Sequence, residues 1–260
     1  MITSPNHVRA STHLALAIAL SSAVFAADSA PTADQILRQM SDKLSAAQRF
    51  SFQAHREVDA ALTEGTPVAR VARATVSVSR PSKMAVLAKT NLGARRFYAD
   101  GKTLTVIDEK ANTYATVPMR TSIDGLLDRL DETYGFTPPV AEFAASNLYQ
   151  DIRQKVSNMS YLGRGRVATG PLGLGGVECH RIALKGKAAD SEVWIGVGDS
   201  LPRKLVATFH RDGHPQVEVT FTDWNLNAPL SAADFVSTPP KGSEKIEMWT
   251  SDRMKSVIAK

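Results

Sequence analysis

Two histidines, His210 and His214, stand four residues apart in "HRDGH". On a helix that spacing presents two imidazoles to one metal ion; across an Asp-Gly turn the rings flank a hairpin, and no third ligand is evident. "DGKT" (100–103) resembles the end of a phosphate loop. The glycine that such a loop needs five residues before Gly101 is Arg96, and the context is strand-turn-strand, so the reading is rejected. "GPLGLGG" (170–176) lacks dinucleotide spacing and opens a strand. There is no G-x-S-x-G, no H-E-x-x-H and no paired-cysteine signature, and the acids are scattered without a dyad. Cys179, the only cysteine, sits between Val177 and Ile182 in a strand-like run and reads as a buried inert thiol. No catalytic residue, metal ligand or cofactor is nominated, and the chain is read as a non-enzyme. One side chain stays unexplained: in "TVSVSRPSKM" (75–84), period-2 arithmetic puts Arg80 on the apolar side with Val76 and Val78, just before a proline.

The elements that carry these residues follow from periodicity. Residues 32–48 read as a helix capped by Thr32, with Ile36, Leu37, Met40 and Leu44 in one stripe. From Phe50 to Leu62 the pattern alternates, as a half-buried antiparallel strand does, and Val68–Arg80 continues it after a turn. Shorter strands follow at Lys83–Lys89, Arg95–Ala99, "LTVID" and "TYATV". Residues 121–135 and 138–159 then switch to helical spacing, with Ile123, Leu126, Leu127, Leu130 and Phe143 among the apolar positions. Strands resume around Tyr161–Val167, Val177–Leu184, Glu192–Val197, Lys204–His210 and Gln216–Leu226, and a frayed basic tail follows at 251–260. Meandering strands without crossover helices predict an α+β fold: one large curved antiparallel sheet of about 11 strands with helices on one side.

Residues 1–26 are read as a cleaved secretory signal, with the apolar run "LALAIALSSAVFA" ending at Ala26. Removing them leaves about 230 residues, here taken as one domain over 27–250. No cysteine follows the cleavage point closely, so no lipid anchor is expected. The formal charge of +5 demands no partner, and an exported chain without a basic, aromatic-interleaved run is not expected to bind nucleic acid.

The apolar faces of the first strands are rich in small residues: Ala54, Val58, Ala60, Ala72, Ala74, Val76 and Val78. A sheet lined this way either packs closely against its helices or leaves an apolar hollow beneath them. The order of elements, with "SRP", "YADGKTLTVID" and "DFVSTPPKG", resembles the periplasmic lipoprotein-carrier superfamily of LolA, LolB and RseB. The stretch from "WIGVGDSLPRKLVATF" to "DFVSTPPKG" is similar to an uncharacterised group of predicted periplasmic proteins related to that fold. The resemblance implies an incomplete antiparallel barrel, a half β-barrel whose apolar concavity is closed by a helical lid, here residues 32–48 and 121–159. It implies a periplasmic binding protein for a lipid, an acyl chain or a lipoprotein; the alternative is an envelope-stress sensor or adaptor that binds a protein partner in the same concavity. The cavity wall falls on Phe50, Phe52, Val58, Val76, Val78, Met84 and Val86. In such carriers the arginine of a strand-ending Arg-Pro bonds the lid when no ligand is present, and that role falls on Arg80. Without the resemblance, the favoured reading of Arg80 is a rim residue snorkelling to water. Leu172 and Leu174, among glycines near Arg164 and Arg166, form a candidate loop for transient membrane-surface contact.

Overall fold

The computed structural model describes residues 1, 31–63, 70–138, 140–168 and 175–258. The expected signal segment beyond Met1, and Leu172 and Leu174, lie outside them. Helix α1 (Ala33–Ala46) begins at a capping box. The Gln35 N–H donates to Thr32 Oγ1 at 3.2 Å, and the Thr32 N–H donates back to Gln35 Oε1 at 2.9 Å. Its stripe of Ile36, Leu37, Met40 and Leu44 is buried.

The chain then enters the middle of the sheet. Strand β1 (Arg49–Val58) is followed outward by β2 (Val71–Ser79), β3 (Lys83–Thr90), β4 (Gly93–Ala99), β5 (Thr103–Asp108) and β6 (Thr113–Pro118). Helix α2 (Ile123–Tyr134), a 3-10 turn (Ala141–Ala144) and α3 (Leu148–Lys155) carry it to the opposite edge. Strands β7 (Val156–Val167), β8 (Val177–Gly186), β9 (Ala189–Gly196), β10 (Pro202–Phe209) and β11 (Gln216–Asn225) return to pair with the free side of β1. The last strand, β12 (Glu244–Lys245), adds parallel to β6, and α4 (Ser251–Ile258) follows. The result is one open sheet of twelve strands among the described residues, antiparallel except at β12–β6, with helices: an incomplete barrel. The predicted α+β half-barrel is therefore the observed fold, with β12 as the strand that sequence pattern missed.

Register follows the alternation. Two rows of side chains run across the sheet on one face. The first is Phe50, Val78, Met84, Ala99, Leu104 and Val117, and the second is Phe52, Val76, Val86, Phe97, Val106 and Ala115. A slip of one residue in any strand would turn its apolar set to the other face, so the register is strongly specified.

Three elements differ from expectation. The alternation predicts strand to Leu62, but β1 stops at Val58: Asp59 Oδ1 accepts the Ala61 N–H at 3.0 Å and caps a 3-10 turn, Ala60–Leu62. The helix expected over 138–159 is broken. Val140 stands at φ 58°, and Ser146 donates its N–H (2.7 Å) and its hydroxyl (2.5 Å) to the carboxylate of Asp124, which holds the intervening chain out of helix. Val156–Met159 belong to β7, where pairing with β8 outweighs local helical spacing. The tail read as frayed forms α4.

Candidate functional site: a lidded concave face

The face carrying the two rows is covered by the helices. Phe50, Phe52, Val76, Val78, Met84 and Val86 are all at most 1% exposed. They pack in one cluster with Ile123, Leu126, Leu127, Leu130 and Phe143 from the covering segments. Val58, also buried, lies at the far end of β1 outside that cluster. The centre is aromatic, and half of it comes from β11, a strand that sequence reasoning found but on which it nominated no site residue. Phe52 stacks on Trp224 with centroids 4.3 Å apart, and Phe143 meets Phe221 edge-on at 4.5 Å. Phe221 continues the alternation of Val217 and Val219, which was the available signal; Trp224 has the opposite parity, and the register shift around Asp223 (φ 53°) is what brings it to the same face.

The covering elements are tied to one another. The Tyr149 hydroxyl donates to Asp34 at 2.5 Å and accepts from Arg38 at 2.8 Å, and the Tyr149 N–H donates to Ser41 Oγ at 3.0 Å, so α3 is held to α1. Asp124, through Ser146, holds α2 to the chain entering α3. Gly135 ends α2 in the left-handed region at φ 69°, a conformation that costs glycine nothing.

Open space lies farther out along the second row. A pocket of about 250 Å³ is lined by Phe97, Val106 and Ala115 from the sheet, by Phe136 after α2, and by Ile246 and Met248 beyond β12. Arg95 and Asp108 also line it, with Arg95 Nε donating to the carboxylate at 2.9 Å. The C-terminal segment reaches the pocket as a strap. Its 3-10 turn, Ala232–Phe235, packs on β3 and buries Phe235. The Glu244 and Ile246 N–H groups then bond the carbonyls of Asn112 and Tyr114 at 3.0 and 2.8 Å. The row that starts as packed core beneath the lid thus ends as a pocket wall. A second depression, among Asp190, Glu192, Trp194, Lys204 and Thr208, lies on the opposite, ion-paired face of β9 and β10.

Arg80 is half-buried where the two lid elements meet the sheet. Its Nη2 points at the Leu44 carbonyl in the last turn of α1 at 3.4 Å, and its guanidinium lies 5.7 Å from the centroid of Phe50. The Arg80 N–H donates to the Gln48 carbonyl, and the Pro81 carbonyl accepts from Ile123, the first residue of α2, both at 2.9 Å. Burial lowers the Arg80 pKa, and the charge of Asp124 works against that. Its Nε is buried without a partner.

Cys179 is fully buried, and burial pushes its thiol up to about 11, with the charge of Arg203 the main opposing influence. A thiol this far above neutrality carries almost no thiolate. At pH 8 the native protein is expected to resist iodoacetamide while the urea-unfolded chain is alkylated; rapid native alkylation, read by mass spectrometry, would contradict the burial. Among the described residues no group of three or more His, Cys, Asp or Glu side chains could hold a metal ion, and no helix is long and apolar enough to cross a membrane.

Sheet, lid and register define the class: an α+β protein built on an incomplete antiparallel barrel closed by helices. The profile of the family described as "Predicted periplasmic protein (DUF2092)" matches residues 33–249, and the chain belongs to that family. Its place is the periplasm. No curated protein matches the chain. Among solved structures, it is similar to an uncharacterized conserved protein from Thermus thermophilus (11% identity, 83% of this chain and 98% of that one, TM-score 0.49). It is also similar to the MucA/MucB complex of Pseudomonas aeruginosa (13%, 79% and 61%, TM-score 0.45). A third is a LolA superfamily protein from Nitrosomonas europaea (13%, 80% and 99%, TM-score 0.36).

Proposed function

We propose that this protein binds a hydrophobic ligand in the periplasm, as a carrier or chaperone for a lipid, an acyl chain or an acylated protein, and that it is not an enzyme. The observation that carries the reading is the apolar row that begins beneath the lid and ends in the open pocket at Phe97, Val106 and Ala115. Each acyl CH₂ moved from water into such a wall contributes about 0.8 kcal/mol, enough for a few methylenes to compete with the bonds that hold a lid shut. A pocket of about 250 Å³ suits the end of a chain, and a longer one needs the lid to shift. The lid is then Ile123, Leu126, Leu127, Leu130 and Phe143 with α1, and Arg80 is its latch.

The test is organic extraction of protein purified from cell envelopes, followed by mass spectrometry, together with uptake of N-phenyl-1-naphthylamine. The wild type is expected to carry an amphiphile and to take up the probe. Ala115→Trp, which puts bulk into the pocket, is expected to cut uptake at least tenfold, while overpacking costs it about 1–3 kcal/mol of stability. Neither bound amphiphile nor probe uptake in the wild type would sink the proposal. A stable protein partner recovered in that same lipid-free state would replace it with the adaptor reading.

A further inference from the structure

A second arginine faces the same way as Arg80. Arg56 on β1 has the parity of Phe50, Phe52 and Ala54, and stands between Ala72 on β2 and Val219 on β11. It is half-buried, yet among the described residues its guanidinium makes no hydrogen bond or ion pair, and its Nε is buried with no acceptor. Guanidinium has five N–H donors and no way to shed its charge, so an unmet donor of this kind is both costly and rare. The unmet donor is the Nε, which reaches neither water nor an acceptor; the two Nη groups are not buried in this way.

The residues around it are small and buried. The row beside it is Ala54, Ala74 and Ala88, running from β1 toward Arg95 on β4, and Ala72 adjoins it on β2. These are the smallest side chains along that part of the face, so a chain can lie there with the least displacement of the lid. From β1 to β4 the lane crosses about 14 Å, three strand spacings, comparable with an extended dodecyl chain. Glu142, on the 3-10 turn of the lid, is the acid whose charge reaches Arg56, but the two form no ion pair. Glu142 is exposed, and the protein around it pushes its carboxyl up against the pull of Arg56 and Lys155.

We propose that Arg56 is the headgroup site of the concavity: it pairs with the carboxylate or phosphate of an anionic single-chain amphiphile whose tail lies along the alanine lane toward the pocket. This rests on the hydrophobic-ligand reading above and adds to it the class of ligand. Guanidinium matches the two oxygens of a carboxylate or phosphate in one plane, and water is already largely excluded at its Nε.

The experiment compares dodecanoate, dodecyl phosphate and dodecanol, each below its micellar concentration, by displacement of the naphthylamine probe from the full chain. Both anions are expected to bind about tenfold or more tightly than the alcohol, and the stronger of the two identifies the headgroup. Arg56→Gln is expected to bring the anions down to the level of the alcohol and leave the alcohol unchanged. Arg56→Lys should restore part of the difference. Should Arg56→Gln fail to fold, Glu142→Gln gives an independent reading: removing the competing acid must tighten dodecanoate without tightening dodecanol. Equal binding of dodecanoate and dodecanol by the wild type overturns the headgroup site and leaves the hydrophobic reading standing. Displacement by none of the three overturns both.

Discussion

Phe52→Ala is expected to destabilise the protein by about 3–5 kcal/mol, the largest loss of any single substitution discussed. Phe52 is 1% exposed in the middle of β1, the strand where the two meanders of the sheet join. Its ring stacks on Trp224 at 4.3 Å and lies 6.1 Å from Phe221, both on β11, while Phe52 stands opposite Val76 on β2, so it sits at the junction of both halves of the sheet. Phe221 in turn meets Phe143 of the lid. Removing the ring leaves a cavity whose walls belong to β1, β2 and β11, whose paired backbones cannot collapse far to fill it. Urea unfolding followed by circular dichroism should show a lower midpoint with an unchanged slope. A midpoint equal to that of the wild type would mean the aromatic cluster holds neither sheet nor lid together.

Arg80→Leu is expected to raise the apparent affinity for the naphthylamine probe about tenfold, the size of one charge-assisted bond at the weak end of its range. The reasoning is a population argument. If the closed form dominates, the apparent dissociation constant is the intrinsic one divided by the open fraction, so weakening closure strengthens uptake. The Arg80 guanidinium reaches the Leu44 carbonyl at 3.4 Å, a long bond, while the backbone of Arg80 and Pro81 holds the exit of α1 and the start of α2 independently of the side chain. The substitution should therefore loosen the lid without releasing it. Stability should change little, because the variant also removes a buried Nε that has no acceptor. Burial lowers the Arg80 pKa, but an arginine stays charged across the accessible range, so the effect should not vary between pH 6 and pH 9. Wild-type uptake in a folded Arg80→Leu protein would leave Arg80 a structural residue at the sheet end.

Both predictions concern residues that were legible before any coordinates, for different reasons. Phe52 and Arg80 were placed on the concave face by the same parity, because a strand alternates strictly and turns announce themselves. The arginine's acceptor was not legible: Leu44 lies 36 residues away and is brought there by the fold. Trp224, the closest aromatic neighbour of Phe52, comes from the last long strand. The pocket was not legible either, since its roof is Phe136, Ile246 and Met248, from two segments that the alternation of the first strands says nothing about.

Local chemistry by itself determined the helix beginning at Thr32, the strand faces, the end of α2 at Gly135, and the absence of a recognisable catalytic motif. Each depends on residues within a few positions of one another, where backbone geometry sets the outcome. Tertiary structure alone decided that the helix after Pro138 breaks, that β12 joins β6, and that Phe97, Val106 and Ala115 line open space while Phe52, Val76 and Val86 in the same row are packed. It also separated Arg56 from Arg80, which pattern treats alike. Parity tells which face a side chain takes; what stands opposite it depends on contacts between residues far apart in the chain.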